Sequence, residues 1–162
     1  MTKTAMELLN GLASEDAAAL VALGTRLRLP AGSVLFSLGD DADSAYAIET
    51  GRISLTLPMQ VNGREQDVLV EERVAGETVG WSALVPPHRF TLTATTLIDS
   101  EVIAFSRAAL LEHFAARPAV GLAVTQNLSA VVGQRLQVLQ AMWLREIQRV
   151  VQLTVAAQSA AS

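Results

Sequence analysis

The sequence predicts a mainly β protein in which a sandwich or antiparallel barrel lies between short N-terminal helices and one long C-terminal helix. Three observations lead to this fold class. Apolar residues alternate with a period of two from Leu27 to Phe105, as in half-buried strands. Turn residues interrupt this alternation at short intervals, as in sandwiches and barrels. From Pro118 to about Ala157, only two glycines oppose a helix.

The N-terminal region is predicted to be helical. Leu8, Leu9 and Leu12 supply the first apolar positions. Ser14 is the expected N-cap of a helix over EDAAALVAL, and Gly24 follows as its stop.

The central region reads as a series of short antiparallel strands. In RISLTL, Ile53, Leu55 and Leu57 face one way and the intervening residues face the other. Asn62-Gly63, between two strand-like runs, is the strongest hairpin signal. TLTAT and EVIAF close the region as two further strands. Other turns are expected at Pro30-Ala31-Gly32, Gly39-Asp40 and Glu49-Thr50-Gly51.

The C-terminal region is predicted to contain two helices. Ser106 is the expected N-cap of a helix over RAALLEHFAA that ends before Pro118, and a long helix follows, frayed over its last residues, AAQSAAS. An apolar stripe with steps of four, four, three, four, four and three residues runs along this long helix. It consists of Leu128, Val132, Leu136, Leu139, Trp143, Ile147 and Val150. A small barrel cannot cover so long a stripe, so we expect it to form the interface of a homodimer.

Composition excludes several function classes. A net charge of -4 and a pI near 5.1 argue against direct binding of nucleic acid. The chain has no cysteine, which excludes disulfides and thiolate metal sites and suits a reducing compartment. No signal peptide or membrane span is expected, so we predict a cytoplasmic protein without membrane contact.

These features resemble the cyclic-nucleotide-binding domain of the catabolite activator and Crp/Fnr-type regulators, from about Leu12 to Gln152. The segments that carry the resemblance are LPAGSVLFSLGDDADSAYAIETGRISL, AGETVGWSALV, DSEVIAF and QRLQV. The resemblance implies a double-stranded β-helix, or jelly-roll, barrel over residues 1–117 with flanking helices. It also implies that residues 118–162 form a dimerisation helix, and no DNA-binding domain is expected.

The resemblance also implies a phosphate-binding loop in GETVGWSALVPPHR. Gly80 matches the glycine of the family pattern, and the backbone amides of Ser82 and Ala83 are expected to hold an anion. Trp81 stands where the family has a glutamate for the ribose hydroxyl. That carboxylate is therefore absent here.

The positively charged residue of the loop departs from the family spacing. The family arginine falls at Phe90 or Thr91 by count, whereas this chain has Arg89. A shortened loop could still bring the Arg89 guanidinium to a phosphate. Thr91 is a candidate hydroxyl ligand on the same segment. On the long helix, Leu139 and Gln140 occupy the positions of a base-contacting Thr-Ser pair.

Two interpretations of Trp81 stay open: its indole packs under the loop, or it stacks on a planar ligand. His88 and His113 are the only histidines and lie on different elements. We therefore expect no metal site, no cofactor and no enzyme activity.

The sequence thus predicts a stand-alone regulatory module that senses a small anionic ligand. Cyclic AMP or cyclic GMP is the first candidate, and the signal would pass through the dimerising helix to an unidentified effector protein. The alternative is a constitutive dimerisation scaffold with a vestigial nucleotide pocket.

Overall fold

A computed structural model describes residues 6–161 of the chain. Residues 1–5 and 162, which the predicted domain boundaries included, lie outside the described residues. The elements in chain order are a 3₁₀ helix η1 (Glu7–Leu9), α1 (Ser14–Leu23), β1 (Thr25–Leu29), β2 (Val34–Phe36), β3 (Ser44–Thr50), β4 (Arg52–Val61), β5 (Arg64–Val74), β6 (Thr78–Val79), a 3₁₀ helix η2 (Trp81–Leu84), β7 (Thr93–Thr96), β8 (Ser100–Ser106), α2 (Arg107–Ala116) and α3 (Pro118–Ala160).

The strands form two antiparallel four-stranded sheets with the orders β1-β8-β3-β6 and β2-β7-β4-β5. Both sheets contribute side chains to one apolar core, which includes Ile48, Ile53, Ala94 and Val102. This confirms the predicted jelly-roll barrel with an N-terminal helix and a long C-terminal helix.

The predicted hairpin between β4 and β5 is confirmed. Asn62 and Gly63 both have positive φ, 52° and 75°, as a type I′ turn requires. In β4, Ile53 and Leu55 are buried as expected. Ser54 is also buried, and its hydroxyl is satisfied by donating a hydrogen bond to the Thr95 carbonyl at 3.1 Å.

The end of α1 is explained by packing. Gly24 follows the helix as predicted, but its φ of -82° is accessible to any residue. A Cβ at Gly24 would lie 2.2 Å from Cγ2 of Ile103. Glycine is therefore required because the chain passes close to β8.

Of the two serines predicted to cap helices, one does so. Ser106 caps α2, since its hydroxyl accepts a hydrogen bond from the Ala109 amide at 3.1 Å. Ser14, by contrast, is the first residue of α1 rather than its cap. The cap is Ala13, whose side chain accepts no hydrogen bond, and Glu15 and Asp16 compensate the helix dipole in the first turn.

Contacts divide the chain into two compact units, one through Asn127 and one from Leu128. The first turns of α3 belong to the first unit, because Val120 and Val124 pack in a second apolar cluster with Leu20, Phe105 and Leu110. The domain boundary expected from the sequence lies earlier, at residue 117, one residue after α2 ends.

The second unit is a single helical segment. Every described residue from 136 to 161 is exposed, including Leu136, Trp143 and Val150 of the predicted stripe. The helix α3 continues to Ala160, and the fraying expected from Ala156 stays a prediction. Alanine favours helix, and the Ser159 hydroxyl donates a hydrogen bond to the Val155 carbonyl at 3.0 Å.

Candidate functional site

The segment that leads into the candidate loop is a hydrogen-bonded turn. The Gly76 amide donates to the Ile48 carbonyl at 2.8 Å, and the Ile48 amide donates to the Glu77 carbonyl at 2.9 Å. The Glu77 carboxylate accepts a hydrogen bond from the Val74 amide at 2.8 Å. Glu77 is therefore a turn residue, and its hydrogen bonds define where β6 begins.

Gly80 connects β6 to η2 in a conformation that suits glycine. Its φ of 72° and ψ of 26° are left-handed, which costs other residues about 1–2 kcal/mol. A Cβ at this position would lie 3.1–3.2 Å from the rings of Tyr46, Phe36 and Phe90. Two independent constraints, backbone and packing, therefore fix this residue as glycine.

The helix η2 presents a partly exposed indole above buried small residues. Trp81 is partly exposed, whereas Ser82 and Ala83 are buried. The Ala83 amide donates to the Gly80 carbonyl at 3.1 Å. One of the two amides that the sequence assigned to an anion is thus engaged within the turn of η2.

The loop after η2 is hydrogen-bonded to the turn between β2 and β3. The Gly39 amide donates to the Phe90 carbonyl at 2.8 Å, and the Phe90 amide donates to the Asp40 carbonyl at 3.0 Å. The Ala42 amide donates to the His88 carbonyl at 2.8 Å. These hydrogen bonds fix the backbone around Arg89.

The Arg89 guanidinium lies over the same turn. Its Nη1 donates to the Gly39 carbonyl at 2.9 Å, and its Nη2 lies 3.4 Å from the Asp41 carboxylate. Both side chains of this ion pair are largely exposed, 62% for Arg89 and 74% for Asp41. Thr91, the candidate hydroxyl, is exposed two residues further on.

Phe90 occupies one of the positions that the family spacing assigns to arginine, and it points inward. Its ring stacks on Phe36 with 3.8 Å between centroids and an interplanar angle of 12°. Phe36 in turn stacks on Tyr46 at 5.9 Å. These three rings form the aromatic floor beneath Gly80, a feature that sequence reasoning missed because stacking depends on tertiary position.

Tyr46 is the ionisable member of this floor. Partial burial raises the pKa of the Tyr46 phenol above its ordinary value of 10.0, and the charge of Asp43 raises the pKa further. The phenol is therefore neutral at physiological pH.

The remaining predicted contacts lie on α3. Leu139 and Gln140, the expected base-side contacts, are exposed residues of the second unit. Their role in ligand binding stays a prediction.

The two histidines lie on different structural elements, as the sequence indicated. The Nδ1 atom of His88 lies 3.3 Å from the Ser82 carbonyl, and His113 is on α2. Among residues 6–161, no group of three or more histidine, aspartate or glutamate side chains could hold a metal ion. Within the same range, no helix is long and apolar enough to cross a membrane.

Comparisons with known proteins place this loop in context. The family model of the cyclic nucleotide-binding domain matches residues 26–117, a range that includes the whole loop and the aromatic floor. No curated protein matches the chain.

Several solved structures share the fold. The catabolite activator protein of Thermus thermophilus is 25% identical, with a TM-score of 0.68 over 81% of this chain and 58% of its own. A cyclic nucleotide-binding domain from Methylobacillus flagellatus has a TM-score of 0.73 at 18% identity, covering 82% and 76% of the two chains. The N-terminal domain of a transcriptional regulator from Streptomyces coelicolor has a TM-score of 0.68 at 23% identity, covering 79% and 89%. This chain therefore spans little more than half of the Thermus protein.

Proposed function

This chain belongs to the cyclic nucleotide-binding domain family, and from that premise we propose that it is a regulatory module that senses a small anionic ligand at the loop from Gly80 to Thr91. The observation that carries the proposal is the position of this loop within the matched domain, with Gly80 held left-handed over a packed floor. Cyclic AMP and cyclic GMP are the first candidate ligands.

Arg89 is the proposed anion-binding side chain. Its present ion pair with Asp41 is exposed on both sides, and such pairs contribute only about 0–1 kcal/mol. A phosphate could accept two parallel hydrogen bonds from the same guanidinium. Exchange of Asp41 for a phosphate therefore costs little and increases the number of charge-assisted hydrogen bonds.

Trp81 alters the specificity that the family pattern would confer. An indole cannot accept a hydrogen bond from a ribose hydroxyl, so this chain lacks that contribution to affinity. The partly exposed ring offers instead a large apolar face for a planar group. We therefore expect weaker binding of standard cyclic nucleotides than a loop with glutamate would achieve.

The proposed output is a homodimer formed through α3. Leu136, Leu139 and Trp143 of the stripe are 54%, 45% and 65% exposed, which leaves a long apolar face without cover in a single copy. Leu136 and Ile147, like Leu139 and Val150, lie eleven residues apart. An eleven-residue repeat keeps one face of a helix pair in contact and favours a right-handed or nearly straight pair.

The proposal is tested by isothermal titration with cyclic AMP and cyclic GMP at low salt, using wild type, Arg89→Ala and Arg64→Ala. Hydrogen bonds to charged groups contribute about 1.5–3 kcal/mol, so Arg89→Ala should weaken binding by at least about tenfold. Arg64 is an exposed arginine at the start of β5, so its removal controls for net charge. Equal affinities of the two variants would contradict a phosphate site at Arg89.

A second candidate function is a constitutive dimerisation scaffold with a filled pocket. It is favoured by the buried Phe90 ring, which stands at a family arginine position, and by the engaged Ala83 amide. A scaffold should release no heat with either nucleotide. It should also show no change in the emission of Trp81 and Trp143, the two tryptophans of the chain. A Trp81→Glu variant that gained cyclic-nucleotide affinity would instead support an altered family pocket.

Sedimentation equilibrium tests the dimer in either case. Trp143→Glu places a charge in the stripe and should shift the protein toward monomer, because a buried unpaired charge is costly. Gln137→Glu adds the same charge at an exposed α3 position outside the seven-residue stripe, and should leave the dimer intact. Equal association of both variants would contradict an interface along the stripe.

A further inference from the structure

The helix η1 is hydrogen-bonded to the turn that leads into the candidate loop. The Glu7 amide donates to the Gly76 carbonyl at 2.9 Å, and the Glu7 carboxylate accepts a hydrogen bond from the Thr78 amide at 2.6 Å. Thr78 is fully buried and lies two residues before Gly80. A residue far away in sequence therefore helps to hold the strand that positions the loop.

The other side of η1 is hydrogen-bonded to α3. The Asn127 side-chain nitrogen donates to the Leu8 carbonyl at 2.9 Å and to the Asn10 carbonyl at 2.8 Å. A side-chain amide has two N–H donors, so both are used in this contact. Asn127 is followed directly along α3 by Leu128, the first residue of the predicted stripe.

Packing and hydrogen bonds together hold η1 in place. Met6 and Leu8 are buried, but an apolar cavity of about 20 Å³ lies beside them, lined in part by Leu20 and Phe105. A cavity of this size without polar partners does not attract an ordered water. The contact surface under η1 is thus incompletely filled, and the four hydrogen bonds of Glu7 and Asn127 add to the packing of Met6 and Leu8.

We propose that Glu7 and Asn127 are positioning residues that join the candidate loop to α3 through η1. A displacement of Gly76 and Thr78 at the loop would move η1, and η1 would move the turn of α3 that carries Asn127. Because coupling between two sites is reciprocal, a change at Asn127 must also alter the hydrogen bonding of the Thr78 amide. The regulatory meaning of this connection rests on the proposed function, whereas the connection itself does not.

Hydrogen exchange of the full chain without ligand tests the connection. The variants are Asn127→Ala, Glu7→Ala and Glu7→Gln, with Gln126→Ala as the control, since Gln126 is an exposed neighbour on the same helix. Asn127→Ala should speed exchange of the Thr78 amide by about fivefold to tenfold, because releasing η1 loosens the hydrogen bond that the Thr78 amide donates to Glu7. Glu7→Ala should do the same. Glu7→Gln keeps an acceptor oxygen and should stay close to wild type.

Two outcomes would overturn the proposal. In the first, Asn127→Ala leaves the Thr78 amide as slow as in Gln126→Ala. In the second, it speeds the amides of β4 by the same factor as Thr78, which would mean global destabilisation instead of a local connection.

A second measurement, made with added cyclic nucleotide, distinguishes this proposal from the proposed function. If cyclic AMP or cyclic GMP binds, Asn127→Ala should keep the emission change of Trp81 on η2 and reduce that of Trp143 on α3 by several-fold. An unchanged Trp143 response would overturn the transmission through η1. If neither nucleotide binds, the proposed function fails for these ligands, and the exchange result still decides the positioning role.

Discussion

Replacing Gly80 with alanine should destabilise the protein through two effects that the structure separates. The left-handed backbone, with φ of 72°, costs an alanine about 1–2 kcal/mol. The added Cβ would also lie 3.1–3.2 Å from the rings of Tyr46, Phe36 and Phe90. Forcing a methyl group into such a packed site typically costs about 1–3 kcal/mol. The free energy of unfolding should therefore fall by about 2–5 kcal/mol in total.

Gly32→Ala is the matched control, because Gly32 has a similar φ of 82° and a Cβ there would meet nothing within 4 Å. It should cost only the backbone strain, about 1–2 kcal/mol. Urea unfolding followed by circular dichroism, at one protein concentration, gives both values. The difference between the variants measures the contact with the aromatic floor. If Gly80→Ala were no more destabilising than Gly32→Ala, the floor beneath the loop would be refuted.

Three further predictions follow from individual contacts. Tyr46 is the only tyrosine, and its raised pKa means that the folded state holds the phenol proton more tightly. Its contribution to stability is complete below pH 10.0 and is lost as the pH rises through the folded pKa. In an absorbance titration the phenolate of the folded protein should therefore appear above pH 10.0, and unfolding should shift its appearance to lower pH. Ser106→Ala removes the cap of α2 and should cost about 1 kcal/mol in urea unfolding, with no loss if the cap is unimportant. Gly24→Ala should cost about 1–3 kcal/mol by overpacking against Ile103, despite its ordinary φ; a neutral result would contradict that close approach.

The parts of the fold that depend on local chemistry were predictable from the sequence. Asn62-Gly63 specifies its hairpin because both residues tolerate positive φ. Ser106 specifies a helix start because its hydroxyl reaches an amide three residues on. Period-two alternation was sufficient to predict the strands, since it records which side of each strand is buried.

The candidate site was less predictable, because its geometry depends on partners distant in sequence. The position of Arg89 is decided by the Gly39 carbonyl and by Asp41, about fifty residues earlier. The roles of Glu7 and Asn127 have no local signal, since each makes hydrogen bonds across most of the first unit. Gly24 shows the same limit, because the local pattern suggested a helix stop whereas the requirement comes from Ile103 on β8.

These contacts also restrict how the loop could respond to a ligand. The backbone from His88 to Phe90 is tied to the neighbouring turn by three hydrogen bonds, and the Phe90 ring is stacked in the core. A loop that is ordered before binding loses little conformational entropy when a ligand arrives. Folding of the loop is therefore a poor candidate for the signal. The guanidinium of Arg89 is held less firmly by comparison, because it is exposed and its ion pair with Asp41 is weak. The effect of a ligand could also be transmitted through the turn at Gly76 and Thr78, which η1 connects to α3. A ligand at this loop would thus act by drawing Arg89 from Asp41 and by displacing that turn, and the fixed aromatic floor would serve as the support against which both movements occur.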